Sequence, residues 1–232
     1  MNFTSSRIFL STILWLCLSL STQAQVRRAE VIAIADSYLL FNWQPTAANI
    51  FHGKDVDGVQ VDTPDTSFSR PGIRPGWWKP GKMNQGMPYM WGGFSTPEEF
   101  TRGIQQGKYA GDVYTAQKRS QGDHAVSKHA VGIDCSGFVS RCWKLTRAYS
   151  TKELPSLCVP LTSFSDLRPG DILNSADNHV LIFKAFKDAN KERILAYEAG
   201  SPPTWKVLIN DIPLSMLREQ NYQPLRYSRI RD

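Results

Sequence analysis

Residues 167–199 read LRPGDILNSADNHVLIFKAFKDANKERILAYEA. Arg168, Pro169 and Gly170 make a turn that opens onto the short apolar run DIL (171–173). Two longer runs follow, HVLIFKAF (179–186) and ERILAYEA (192–199), both apolar and bounded by turn formers, which is the texture of strands. TWKVLIND (204–211) and QPLRYSRI (223–230) repeat that texture towards the C-terminus. Upstream the pattern is helical. Ile32, Ala35, Leu39 and Trp43 recur at helical spacing across 26–43, residues 97–108 suit a short helix, and a further helix begins at Asp134. Helices first and strands second predict an α+β domain, with N-terminal helices packed on a mostly antiparallel sheet of five to six strands.

His179 leads one of these apolar strands. A polar residue in that position is either satisfied packing or part of a site. The other histidines, His52, His124 and His129, sit in polar irregular segments. His124 and His129 have no partner cysteines or acidic motif at metal-ligand spacing and read as loop histidines, and no cofactor is expected. If 179–187 and 190–198 form a hairpin turning on Asp188 and Ala189, Glu198 falls directly opposite His179, with Cβ atoms about 4.5–5.5 Å apart. A loop with an odd residue count would send Glu198 to the other face unless a bulge corrected it. Glu198 is therefore a candidate to orient the imidazole, the alternative being an exposed edge-strand glutamate.

The helix from Asp134 carries the other candidate. Asp134 is a good N-cap, and Cys135, Phe138, Val139 and Cys142 follow at i, i+3, i+4 and i+7. Cys135 thus stands where unsatisfied N–H groups and the positive end of the dipole favour a thiolate and an oxyanion. Gly137 removes a side chain close to that sulfur, which would let a substrate backbone approach. The plainer alternative is that Cys135 faces the core like Cys142.

Residues 1–24 have the layout of a secretory signal: Arg7, an apolar stretch at 8–20, and Thr22, Gln23 and Ala24 before Gln25. The expected mature chain is exported, periplasmic or extracellular, with no membrane span left after cleavage. Residues 25–232 read as one domain and a monomer, with long insertions at about 44–85 and 95–130. The formal net charge of +6 is modest, and no basic cluster interleaves with stacking aromatics, so nucleic acid is not an expected partner. Three cysteines survive cleavage. Cys135 and Cys142, seven apart on one helix, should lie roughly 10 Å apart and cannot pair. Cys158 either pairs with Cys142 or is buried and reduced. Trp77 and Trp78, in the turn-rich stretch RPGIRPGWWKPGK (70–82), either stack on a sugar or anchor their loop to the body.

Four blocks taken together, GMPYMWGG (86–93), IDCSGFVSRCW (133–143), LRPGDIL (167–173) and the His179 strand, resemble the NlpC family of papain-like bacterial cell-wall cysteine peptidases. The resemblance covers roughly half the chain after residue 24. It implies a papain-like fold, with Cys135 as nucleophile, His179 as general base and Glu198 at the third polar position. Tyr89 matches a tyrosine close to the nucleophile, and Trp91, Asp134 and Ser136 fall in the blocks that border it. The implied substrates are peptidoglycan stem peptides, cut at amide bonds often between D-glutamate and a diamino acid, without a metal. Two departures bear on specificity. The insertions would lie near the cleft mouth, and a glutamate at the third position resembles the related CHAP amidases, which cut nearby bonds such as that between the glycan and L-alanine.

Overall fold

The computed structural model describes residues 25–69, 76–200 and 204–232. Residues 1–24, expected to be a secretory signal, and 70–75, from the turn-rich stretch, lie outside the described residues. Five α-helices are present among them: α1 (Arg28–Leu39), α2 (Pro97–Gln105), α3 (Ala116–Gln121), α4 (Cys135–Cys142) and α5 (Leu214–Glu219). Six strands form the main sheet: β1 (Cys158–Pro160), β2 (Ile172–Ser175), β3 (His179–Phe186), β4 (Arg193–Ala199), β5 (Val207–Pro213) and β6 (Gln223–Tyr227). Their order is β5-β4-β3-β2-β6-β1, and every neighbouring pair is antiparallel. The chain is thus α+β with a six-stranded antiparallel sheet.

Alternation along the strands builds two apolar layers. Ile172, Val180, Ile182, Tyr197 and Leu225 join Val31, Ala35, Tyr38, Phe138, Val139 and Cys142 of α1 and α4 in the larger core. Leu173, Leu181, Phe183, Ile194 and Ala196 join Leu214 and Leu217 of α5 in a second, smaller one. Both faces of the central strands are therefore covered, which is why VLIF (180–183) is apolar without a break. Trp143, just past α4, stacks on Tyr227 of β6 at 4.7 Å and donates to the Gly170 carbonyl at 3.1 Å. These contacts fix α4 against the turn before β2.

The edges differ from expectation in three places. The N-terminal helix stops at Leu39 and buries Val31, Ala35 and Tyr38, a stripe displaced from the one expected through Ile32 and Leu39. Trp43 lies beyond it in a two-residue strand, Asn42–Trp43, paired with Asn84–Gln85. The first insertion holds a small hairpin, His52–Lys54 with Gln60–Asp62. Cys158 begins the edge strand β1, where no strand was expected.

Asp171, in the turn-and-strand block, is fully buried and ionic. It meets Arg28 of α1 at 2.8 Å and Arg226 of β6 at 2.7 Å, and accepts the Arg168 N–H at 2.9 Å. One carboxylate thus pins the first helix, the β2 turn and β6 together. No helix among the described residues is long and apolar enough to cross a membrane.

Candidate active site

Helix α4 starts as its sequence dictates. The Asp134 backbone is extended (φ −95°, ψ 178°), and its carboxylate accepts from the Gly137 N–H at 2.5 Å and the Ser136 hydroxyl at 3.1 Å. Burial pushes this carboxyl up to about 6, against those same bonds. The block ahead of it is stitched alongside by backbone. Met90 N–H donates to Ile133 O, Ile133 N–H to Pro88 O, and Asp134 N–H to Gly93 O, at 3.1 Å each. A Cβ on Gly137 would stand 2.2 Å from the Gly93 carbonyl oxygen. Glycine at 137 is therefore required by this close approach of the GMPYMWGG block, not by room for a substrate.

Cys135, at the first position of α4, is half-buried, packed at the margin of the core that holds Cys142 and lining the cleft. Its sulfur lies beside the His179 ring. Burial works against a charged imidazole there, yet the charge of Cys135, a hydrogen bond with it and the partnership with Glu198 outweigh burial and raise the ring to about 10. Glu198 Oε2 stands 2.7 Å from His179 Nε2. That bond commits Nε2 to the carboxylate and leaves Nδ1 for the sulfur. Asn210 of β5 donates to the other oxygen of Glu198.

Glu198 reaches His179 by a different register from the one expected. The pairs are Ile182 with Tyr197 and Phe183 with Ala196, so continuing that register sets Glu198 beside Leu181, two residues along from His179 on the same face. The connecting loop is longer than two residues, with Lys187 N–H bonded to Arg193 O. An irregularity between Phe183 and Ala185 then shifts the register by one and restores the face.

Tyr89, Trp91, Asp134, Cys135, Ser136 and His179 all line one cleft of about 360 Å³. Tyr89 is held by backbone bonds to Trp205 and Asp112, both 2.9 Å. Burial, then the negative charge of Cys135 and Asp134, raises its hydroxyl well above the ordinary tyrosine value, so it stays a proton donor. Not every N–H of the helix start is open to the cleft. Those of Gly137 and Ser136 face the Asp134 carboxylate and that of Phe138 bonds the Asp134 carbonyl. Cys135 N–H remains, and among the described residues it has no acceptor.

The sequence did not point to several neighbours. Tyr114 and Arg119 come from the second insertion, Lys152 from the loop after α4, and Asp177 from the turn before β3; all line the cleft. Asn210 and Tyr222 stand behind it. Burial, then the charges of Glu198 and Cys135, raises the Tyr222 hydroxyl. These residues carry no periodic signal, and only the sheet register or the loop paths would have found them.

Trp78 is fully buried with its ring 5.6 Å from that of Trp43. Trp77 donates to Trp205 O at 2.9 Å under the Lys206 ammonium. Both anchor their loop and neither lines the cleft. Cys142 and Cys158 are free thiols and do not pair. Burial raises both, Cys158 to about 12. No group of three or more His, Cys, Asp or Glu side chains among the described residues is arranged to hold a metal.

A thiol, an imidazole and a carboxylate in a row, in a cleft also lined by Tyr89, is competent for attack on a carbonyl carbon. No family model matches the chain, and no curated protein and no solved structure matches it either.

Proposed function

We propose that the chain is an exported, papain-like cysteine peptidase of the NlpC kind, acting on amide bonds of peptidoglycan stem peptides, most simply between D-glutamate and the diamino acid. The observation that carries the proposal is the alignment of Cys135 at a helix start, the His179 ring beside it and Glu198 at 2.7 Å on the far nitrogen. Family resemblance supplies the polymer; the side chains supply the chemistry.

The raised His179 carries a proton at neutral pH. Cys135 Sγ attacks the amide carbonyl, and the developing oxyanion takes hydrogen bonds from the Cys135 N–H and the Tyr89 hydroxyl. The imidazolium gives its proton to the departing amine as the C–N bond breaks, leaving a thioester on Cys135. The neutral ring then takes a proton from water, hydroxide attacks the thioester, and the carboxylic acid leaves as the thiol is regenerated. Glu198, held by Asn210, keeps the ring aligned through both steps.

A glutamate at the third position also supports a second reading, an amidase cutting between the glycan and L-alanine. Digestion of purified peptidoglycan, with the released fragments weighed, separates the two. The expected products are peptides carrying a newly freed amino group on the diamino acid. Fragments with the lactyl–alanine bond opened favour the amidase. No cleaved amide from the folded protein overturns both.

A further inference from the structure

Two cations from separate segments converge on one carboxylate at the rim of the cleft. Arg119 projects from α3 in the second insertion, and Lys152 from the loop after α4. Lys152 Nζ lies 3.1 Å from Asp177 Oδ1 and the Arg119 guanidinium 3.5 Å from Asp177 Oδ2. Arg119 also bonds the Asp177 carbonyl, and the Tyr114 hydroxyl lies beside its guanidinium. Asp177 itself sits two residues before His179 in a left-handed conformation (φ 59°), in a turn closed by Asn178 N–H to Ser175 O at 3.0 Å. Cys135, His179 and these four residues line the same cleft.

The geometry points to a carboxylate-binding subsite: we propose that Arg119 and Lys152 clamp an acidic group of the substrate beside the scissile amide, where the Asp177 carboxylate now lies. This rests on the peptidase reading above and names what its cleft selects. A guanidinium fork pre-set by a tyrosine hydroxyl suits a planar carboxylate. Both cations are largely exposed, 42% and 67%, so their pairing with Asp177 holds them weakly and is readily exchanged for an incoming carboxylate. The other acids lining the cleft do not compete for them in the same way: Asp134 is turned back onto its helix start, and Asp123 pairs with neither cation. A γ-linked glutamyl residue carries such a carboxylate next to its amide; its carboxamide form has the same shape without the charge.

The probes are the synthetic tripeptide L-alanyl-γ-D-glutamyl-L-lysine and its α-carboxamide, offered to the full chain. Two readouts are taken: kcat/KM for cleavage, and protection of Cys135 from iodoacetamide, located by peptide mass. The acid is expected to be favoured by roughly 10–100-fold in both. In Arg119→Gln/Lys152→Gln the preference should fall to within about 3-fold through loss of the acid's advantage, with the melting temperature unchanged. Asp177→Asn, which tolerates the left-handed backbone, should increase the preference instead. Equal handling of both peptides by the wild type, protection by neither, or a preference that survives the double substitution overturns the clamp. Cleavage undiminished in Cys135→Ala would defeat the peptidase reading separately, since the protection data do not depend on turnover.

Discussion

Cys135→Ala is expected to release no stem-peptide fragment above the blank, a loss on the order of 10⁶ in kcat, as befits removal of a nucleophile that no neighbour can replace. His179→Gln is expected to cost about 10²–10⁴, the contribution of a positioned acid and base. The same substitution should alter the pH dependence of stability. His179 is raised from its ordinary value of 6.5 to about 10, so the folded protein holds that proton more tightly than the unfolded chain. Its contribution is therefore complete below about pH 6.5 and disappears as pH rises through about 10. Melting temperature followed across that window should fall more steeply in the wild type than in His179→Gln. Parallel curves would mean that the ring is not held as an imidazolium. Unchanged turnover in either variant would remove it or the sulfur from the chemistry.

The largest stability effect is expected away from the cleft. Asp171→Ala removes the buried carboxylate shared by Arg28 and Arg226, whose side chains are 12% and 27% exposed, and leaves Arg28 with the exposed Asp232 carboxylate and Arg226 with the Asp166 carbonyl. Breaking a buried ion network by removing one partner costs about 3–5 kcal/mol, because the remaining charges stay desolvated. Denaturant unfolding should show a loss of that size. A loss under about 1 kcal/mol would mean that water replaces the carboxylate freely.

How much of this was legible varies by residue. The cap at Asp134 and the i, i+3, i+4, i+7 pattern after it are local, and α4 begins at the residue they indicate. The strands from 167 onward were legible for the same reason, each being a run of apolar residues between turn formers. Glu198 does bond His179, but through a register other than the one expected. A two-residue turn on Asp188 and Ala189 lacks the glycine or asparagine such turns favour. Asp188 instead accepts from the N–H groups of Glu192 and Arg193, at 3.0 and 2.8 Å, and Lys191 takes a positive φ of 56°. That enlarges the loop, and the irregularity near Lys184 compensates for it. No local pattern announces such a compensation.

Gly137 shows the opposite limit. Its need for no side chain is set by the Gly93 carbonyl, forty-odd residues away in sequence, which only the folded chain brings near. The cleft wall from the second insertion was illegible for a similar reason. Tyr114 and Arg119 stand in a polar stretch without periodicity, and their place follows from a buried anchor. Lys118 pairs with Asp112, whose carbonyl accepts from Trp91 N–H at 2.9 Å and whose carboxylate accepts from Asp62 N–H at 3.0 Å. Burial, opposed by Lys118, raises Asp112 to about 7. The pair ties both insertions to the block that carries Tyr89.

The most direct measurement is the intact mass of the wild-type protein, acid-quenched during turnover of a stem peptide. The expected result is a gain equal to the acyl portion of the substrate, confined to the peptide containing Cys135 and lost on treatment with hydroxylamine. Free amine product accumulating with no such adduct, and at the same rate in Cys135→Ala, would contradict a thioester on this sulfur.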